Sequence, residues 1–318
     1  MSESPRLHVL ILNWNGAADT LACLESVLAS QYANYRLIVC DNDSADGSPE
    51  QILQWAEGRV EAVDAPATST LDAPLTLIRT GGNLGFTGGC NVGIAHALGR
   101  GADFVFLLNN DARVEVDTLS TLVEVARDGG ASLVGARVLD EDGVGEQFAG
   151  SSWPGLLYGR GRGQPPGDRP AYWPSAYGSG CGLLIGRGLL VERFAECGHY
   201  LDPAFFMYCE ETDLCLYGRA RGHGCVVARD AVIRHGLARS SGGSLNPRSY
   251  YYMTRNRIRL ANRWLDARGR LLFHAWYAPS RVALQALGKG RWRARTLSAV
   301  ARGLVDGYLG RAGKWGLH

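Results

Sequence analysis

The sequence predicts an α/β fold: a Rossmann-like, mostly parallel sheet flanked by helices, followed by a C-terminal helical extension. Three observations carry this expectation. Short runs (LHVLIL, RLIVC, LTLI, FVFLL) are apolar throughout rather than alternating, as strands buried on both faces are. Helix-type segments separate the runs, and a β-α-β-α order gives crossover connections and parallel pairing. Each run stops at a polar cluster. Ligands bind beyond the carboxyl ends of such strands, so the clusters should meet in one crevice.

Residues 7–12 read as the first strand, ending in the turn Asn13-Trp14-Asn15-Gly16. Asp19 or Thr20 can cap a helix whose apolar face is Leu21, Leu24, Val27 and Leu28. Residues 36–40 form the second strand, followed by the polar run 41–48 and a helix over 49–58. Residues 61–74, rich in Ala, Thr, Asp and Pro, read as a loop. A third strand covers 75–78, a Gly-rich loop 81–89 and a helix 90–98. The fourth strand, 104–108, stops at Asn109-Asn110-Asp111. Residues 150–178 read as a long excursion, 180–185 as a strand, 214–221 as a helix and 225–228 as a strand. Residues 240–247 read as a loop. Amphipathic helices over 250–265 and roughly 281–309 meet near Pro279.

Composition narrows the function classes. Hydrophobic residues make up 46% and charged residues 20%, enough for a substantial core. No run of 18 apolar residues occurs, so no transmembrane helix is expected. There is no signal-peptide pattern and no C-x-x-C pair. The eight cysteines therefore read as reduced, and the location as cytoplasmic. The net charge of +2 hides a split. Residues 1–218 hold 13 Lys+Arg against 28 Asp+Glu, and residues 219–318 hold 20 against 3. A basic end of this kind meets a polyanion, or neutralises the acidic half.

Five constellations carry chemistry. Asn109-Asn110-Asp111 puts a carboxylate just past a buried strand, where it can hold a hard divalent cation or make an ordinary turn. Asp41 opens a run of three acids able to bind a ribose or base edge. Ile52 stands where a calcium loop needs its final Glu, so calcium is dropped. Glycines 81–89 ahead of a helix let backbone N–H groups approach an anion, though the run is neither a Walker loop nor G-x-G-x-x-G. Glu210 and Glu211, beside Phe205, Phe206 and Tyr208, suggest a carboxylate of raised pKa suited to general-base work, or simply an acidic first helical turn. His235 follows a probable strand and becomes a metal ligand only if the fold brings it to Asp111.

Taken in order, these stretches resemble glycosyltransferase family 2, with its GT-A fold, and most closely its bacterial rhamnosyltransferase branch. The resemblance rests on LHVLILNWNG, LIVCDNDSADGS, NLGFTGGCNVGI, FVFLLNNDARV and FFMYCEETDLCLYGRARGHGCVVARDAVIRH, which together span residues 7–235. It implies a catalytic domain over 1–240, with a nucleotide-sugar half to about 115 and an acceptor half over 116–240. Residues 241–318 would form a basic helical region. It implies donor-nucleotide contacts from Asn13, Asn15, Asp41, Asn83, Gly85, Asn109 and Asn110. Asp111 and His235 would bind a divalent metal, Mn2+ or Mg2+. Glu211 stands where the family carries its base, usually Asp, one methylene shorter; whether Glu211 or Glu210 takes the proton stays open. Asp213 and Tyr208 would lie on the acceptor side, and Asp213 would also anchor its helix.

The activity implied is inverting, non-processive transfer of a sugar from a nucleotide-diphosphate donor, with rhamnose from dTDP-rhamnose as the branch's donor. The acceptor would be a cell-surface glycan or a polyprenyl-diphosphate-linked precursor. The Q-x-x-R-W signature of processive synthases is absent, because Gly288 precedes Arg291-Trp292. The basic extension interleaves Arg255, Arg257, Arg259, Arg263, Arg268 and Arg270 with Trp264, Leu271, Phe273 and Trp276. That pattern suits an anionic membrane surface on the inner face of the cell membrane, or packing on the catalytic domain or on a second copy in a homodimer. Two alternatives remain. A nucleic-acid or membrane binder would act through the basic end, although no nucleic acid is expected. A sugar nucleotidyltransferase would need Arg and Lys after the first strand, and residues 13–16 have neither.

Overall fold

A computed structural model describes residues 4–66, 73–143, 145–148, 152–153, 158–159, 170–236, 246–287 and 293–316. The chain opens with β1 (Leu7–Asn13), α1 (Ala17–Leu28), β2 (Tyr35–Asp41), α2 (Ser48–Ala56), β3 (Ala62–Pro66), β4 (Leu75–Arg79), α3 (Gly85–Gly99) and β5 (Phe104–Asn109). It continues through β6 (Ala112–Val114), α4 (Thr118–Asp128), β7 (Ala131–Leu139), β8 (Glu146–Phe148), β9 (Ser152–Trp153), β10 (Tyr158–Gly159) and β11 (Tyr172–Pro174). Then come β12 (Gly182–Gly186), α5 (Arg187–Cys197), α6 (Glu210–Ala220) and β13 (Gly224–His235), and finally α7 (Pro247–Trp264), α8 (Ala267–Leu287) and α9 (Arg293–Tyr308).

The main sheet runs β11-β13-β7-β12-β5-β1-β2-β4-β3. Strands β5, β1, β2, β4 and β3 are mutually parallel, as is the β7–β13 pair. Strand β12 is antiparallel to both β5 and β7 and joins the two blocks. The mostly parallel sheet predicted from the apolar runs is thus observed. Alternation of side chains divides its core in two. Val9, Ile11, Leu37 and Val39 face α1 and α2, while Leu10, Ile38 and Cys40 meet Ile94 and Ala97 of α3. Each such fully buried aliphatic side chain contributes on the order of 2 kcal/mol.

Several local expectations are corrected. Residues 62–66, read as part of a loop, form β3. An edge strand pairs on one side only, so it needs little apolar sequence and tolerates Asp64 and Pro66. The Gly-rich stretch is largely helical, because α3 already begins at Gly85. A Cβ at Gly93 would sit 2.0 Å from Leu10 Cδ1, so the glycine lets α3 lie close on the sheet. Neither Asp19 nor Thr20 caps α1; Gly16 holds that position, and Thr20 Oγ1 donates instead to Asn13. Helix α6 starts at Glu210 rather than 214, after Cys209. Pro279 lies inside α8 instead of joining two helices. The 150–178 excursion and the 240–247 loop fall largely outside the described residues.

The C-terminal helices pack against the segment 202–213. Tyr252 stacks on Phe206 at 5.2 Å between ring centroids, and Tyr251 stacks on Trp315 at 4.6 Å. Ile258, Ala261, Phe273 and Tyr277 form a small core of their own. Part of the basic pattern read as surface-facing turns inward. Arg255 is fully buried, and Arg263 pairs with Asp202 and Asp213. Carbonyls and carboxylates of the acidic half satisfy these guanidiniums, which is why a charged face can be packed away. Among the described residues no helix is long and apolar enough to cross a membrane.

Candidate active site

The four polar clusters do meet at the carboxyl edge of the sheet. Asn13, at the end of β1, donates from Nδ2 to Asp41 Oδ1 at 2.7 Å and to Ser44 Oγ at 3.1 Å, and accepts from Thr20 Oγ1 at 2.8 Å. With every polar atom used and no exposure, Asn13 supports Asp41 rather than offering a ligand contact of its own. Ser44 N donates to the other Asp41 oxygen at 3.0 Å. Asn15, at φ 52°, accepts from Ala45 N and ties the two turns together.

Asn42, which the sequence reading passed over, organises the next wall. Its Oδ1 accepts from Leu84 N at 3.0 Å and its Nδ2 donates to the Gly85 carbonyl at 3.1 Å. Asn83 Oδ1 accepts from Gly85 N, closing the turn. Gly85 has φ 74°, and a Cβ there would lie 2.4 Å from the Phe206 carbonyl oxygen. The start of α3 therefore abuts the segment that leads to Glu210.

At the centre, Asp111 Oδ1 lies 3.1 Å from His235 Nε2, both largely buried. The register that pairs β6 with β13 sets Ala112 opposite His235, which explains how residues so far apart in sequence meet. Burial opposes a charge on His235, but hydrogen bonds to Asp111 and Cys181 outweigh it and raise its pKa to about 10. Asn109 Nδ2 stands 3.4 Å from His235 Nε2, so this side chain turns toward the pair rather than toward a ribose. Asn110 donates to Thr20 and backs the first turn. Cys181, at 3.7 Å from His235 Nε2, was also missed; the sequence places it within the 180–185 strand, whereas β12 begins one residue after it. Among the described residues no cluster of three or more His, Cys, Asp or Glu side chains forms a metal cage. A carboxylate and an imidazole side by side still fit a divalent cation whose remaining ligands come from a diphosphate and water.

Helix α6 brings in the acidic pair. Phe206, Tyr208 and Cys209 precede it at φ 65°, 66° and 76°, a run of left-handed non-glycine residues. Helix α7 holds this segment. Asn256 Nδ2 lies 2.8–2.9 Å from the carbonyls of Phe205, Met207 and Tyr208, and Arg255 Nη2 donates to those of Ala204 and Phe205. Burial, with Glu211 beside it, pushes the Glu210 carboxyl well above the usual range, and its Oε2 has no partner. Burial likewise raises Glu211, which is half-buried and packs beside Gly180.

Two predicted acceptor-side residues are committed elsewhere. Asp213 is saturated by Arg193, Arg263 and Trp264 Nε1 at 2.7–2.8 Å and serves as a structural anchor. Tyr208 bonds through its hydroxyl to Ser249 of α7.

The comparisons with known proteins agree with this architecture. A mannosyltransferase from Pyrobaculum calidifontis, solved with GDP-mannose and Mn2+, superposes with a TM-score of 0.62 at 15% identity, over 96% of this chain and 88% of its own. That likeness concerns the fold, which is GT-A. An uncharacterized protein, y4gI, of Sinorhizobium fredii is 26% identical over 83% of this chain and 28% of its own length. The low-salt glycan biosynthesis hexosyltransferase Agl10 of Haloferax volcanii is 27% identical over 67% of this chain and 61% of its own. The chain thus spans less than two thirds of these relatives. The family model "Glycosyl transferase family 2" matches residues 8–194, which takes in the turns after β1, β2 and β4, the Asp111 region and β12, and the chain belongs to that family.

Proposed function

We propose that this chain is an inverting, non-processive glycosyltransferase that moves one sugar from a nucleotide-diphosphate donor to an acceptor hydroxyl. The observation that supports it most is the Asp111–His235 pair just past β5, with Asp41 held by Asn13 at the ends of the neighbouring strands and Glu211 packed beside Gly180, next to the Cys181 that touches His235. In this reading residues 1–115 supply the donor half and residues 116–240 the acceptor half, with the extension packed behind. Asp41, held by Asn13 and Ser44, receives the nucleoside. The turn built by Asn42, Asn83 and Gly85 walls the diphosphate. Asp111 and His235 would hold Mn2+ or Mg2+, which when bound offsets the charge that grows on the leaving diphosphate.

Glu211 is the base. It is half-buried where Glu210 is buried, and burial raises its pKa, which favours taking a proton. The acceptor oxygen attacks the anomeric carbon from the face opposite the diphosphate. The new C–O bond forms as the old one breaks, the hydroxyl proton passes to a Glu211 carboxylate oxygen, and the nucleoside diphosphate leaves. One displacement inverts the anomeric centre. Burial and the neighbouring Glu211 favour the neutral form of Glu210.

Two finer readings belong with this. A rhamnosyl donor carried on dTDP rests on the sequence resemblance. Attachment to an anionic membrane, which would serve a lipid-linked acceptor, rests on the basic extension and on Leu271, Leu272 and Trp276, which stand exposed on α8. The deciding experiment is calorimetric titration with dTDP, UDP and GDP, with and without Mn2+, on wild type and Asp111→Ala. Metal-dependent binding of one nucleotide, lost in the variant, is expected. No binding of any of the three under any condition would remove the glycosyltransferase reading.

A further inference from the structure

A second cationic site lies away from this edge, between α7 and the end of α9. A cavity of about 310 Å³ is lined by Arg255, Arg259, Asn262, Arg263 and Arg311, with Gly307 and Gly310 supplying backbone. The spacing 255, 259, 262, 263 puts these side chains on one face of α7. Three carboxylates meet the cluster. Asp202 and Asp213 take Arg263, Asp213 also takes Arg193, and Asp306 takes Arg302 and Arg311. Arg255 and Arg259 make no ion pair among the described residues; Arg255 bonds carbonyl and amide oxygens and lies over the Tyr251 and Tyr252 rings, and Arg259 bonds two carbonyls. Four guanidiniums line the cavity, and the three carboxylates nearest them are shared with Arg193 and Arg302 outside it.

Arg259 shows the imbalance most clearly. Its two hydrogen bonds, to the Gly310 and Arg311 carbonyls, are long at 3.3 Å, and its Nε is buried without a partner. Burial lowers its pKa from the ordinary value; Asp202 opposes this, Arg255 and Arg263 add to it, and Asp213 offsets a little more. Arginine does not give up its proton in proteins, so this cluster, in which Arg255 is buried, Arg259 and Arg311 are half-buried and Arg263 is exposed, gathers positive charge around one cavity and offers a site for an anion. The planar forks match phosphate oxygens in particular. The cavity's rim adjoins the exposed apolar residues Tyr308 and Leu309, beside which an acyl chain could lie.

We infer that the cavity lined by Arg259, Asn262, Arg263 and Arg311 binds a phosphoryl anion, either free or as the head group of an anionic lipid. This site does not depend on the glycosyl-transfer reading. The test uses the full chain, without divalent metal, titrated calorimetrically with inorganic pyrophosphate. Wild type should bind, and Arg259→Gln should weaken binding tenfold or more, about 1.4 kcal/mol. Asn262→Asp, which keeps an acceptor for His274 and adds a carboxylate to the exposed rim, should do the same if the first variant fails to fold. Arg268→Gln, outside the cavity, and Asp111→Ala should bind as wild type does. A parallel arm compares sedimentation with phosphatidylglycerol and phosphatidylcholine vesicles. Arg259-dependent retention on phosphatidylglycerol assigns a lipid head group, and pyrophosphate binding without it assigns a free anion. Absence of pyrophosphate binding together with Arg259-independent vesicle retention, or pyrophosphate binding lost in Asp111→Ala and kept in Arg259→Gln, overturns the proposal.

Discussion

The side-chain amide of Asn256 lies 2.8 Å from the carbonyl oxygen of Tyr208, two residues ahead of Glu210. The same nitrogen also reaches the carbonyls of Phe205 and Met207. A helix of the C-terminal extension thus holds in place a left-handed backbone segment that would not persist alone.

Asn256→Leu should therefore act on turnover more than on donor binding. It strands buried carbonyls at a cost of about 1–3 kcal/mol each and lets the segment before α6 relax. A fall in kcat of at least tenfold is expected, with nucleotide affinity by calorimetry within about twofold of wild type. Weakened nucleotide affinity at unchanged kcat would mean that Asn256 supports the donor side instead.

Replacing Glu211 by Gln removes the proposed proton acceptor while keeping the shape of the site. Transfer should slow by roughly 10²–10⁴-fold. The wild-type rate should fall on the acid side at a pH above the ordinary carboxylate range, because burial raises this group. Rate–pH profiles of both proteins check this; an acid limb at the usual carboxylate pH would contradict it.

Glu210 makes a stability prediction of opposite character. Its folded-state pKa is raised, so the folded protein holds its proton more tightly than the unfolded chain does. Stability is then lost as pH rises from the unfolded carboxylate value toward the raised folded one. Glu210→Gln should melt higher than wild type at pH 8, and the gap should shrink at pH 5. Scanning calorimetry at the two values measures it, and each 1 kcal/mol corresponds to roughly 2–4 °C.

Asp213 anchors α6 to both α5 and α7 through Arg193 and Arg263. Asp213→Ala leaves the buried Arg193 uncompensated and should cost about 3–5 kcal/mol, on the order of 10 °C in melting temperature. A drop of only a degree or two would show that water replaces the carboxylate.

The parallel sheet and the polar clusters at its strand ends are legible in the amino-acid order alone. Apolar runs of strand length that break at Asn13, Asp41 and Asn109 can be read locally, because burial on both faces leaves its mark residue by residue. The edge strand β3 escaped such a reading, because a strand paired on one side carries little apolar signal. Only the tertiary structure decided how the clustered residues divide their work. Whether Asn13 meets a ligand or holds Asp41, and whether Asp213 faces an acceptor or two arginines, depends on partners 20 to 50 residues away. The inward turn of Arg255 and Arg263 is of the same kind. Helix α7 has a basic, amphipathic pattern whether it meets a membrane or the carbonyls of residues 204–205. Hydrogen-bonding capacity belongs to a residue, but the partner that satisfies it belongs to the fold.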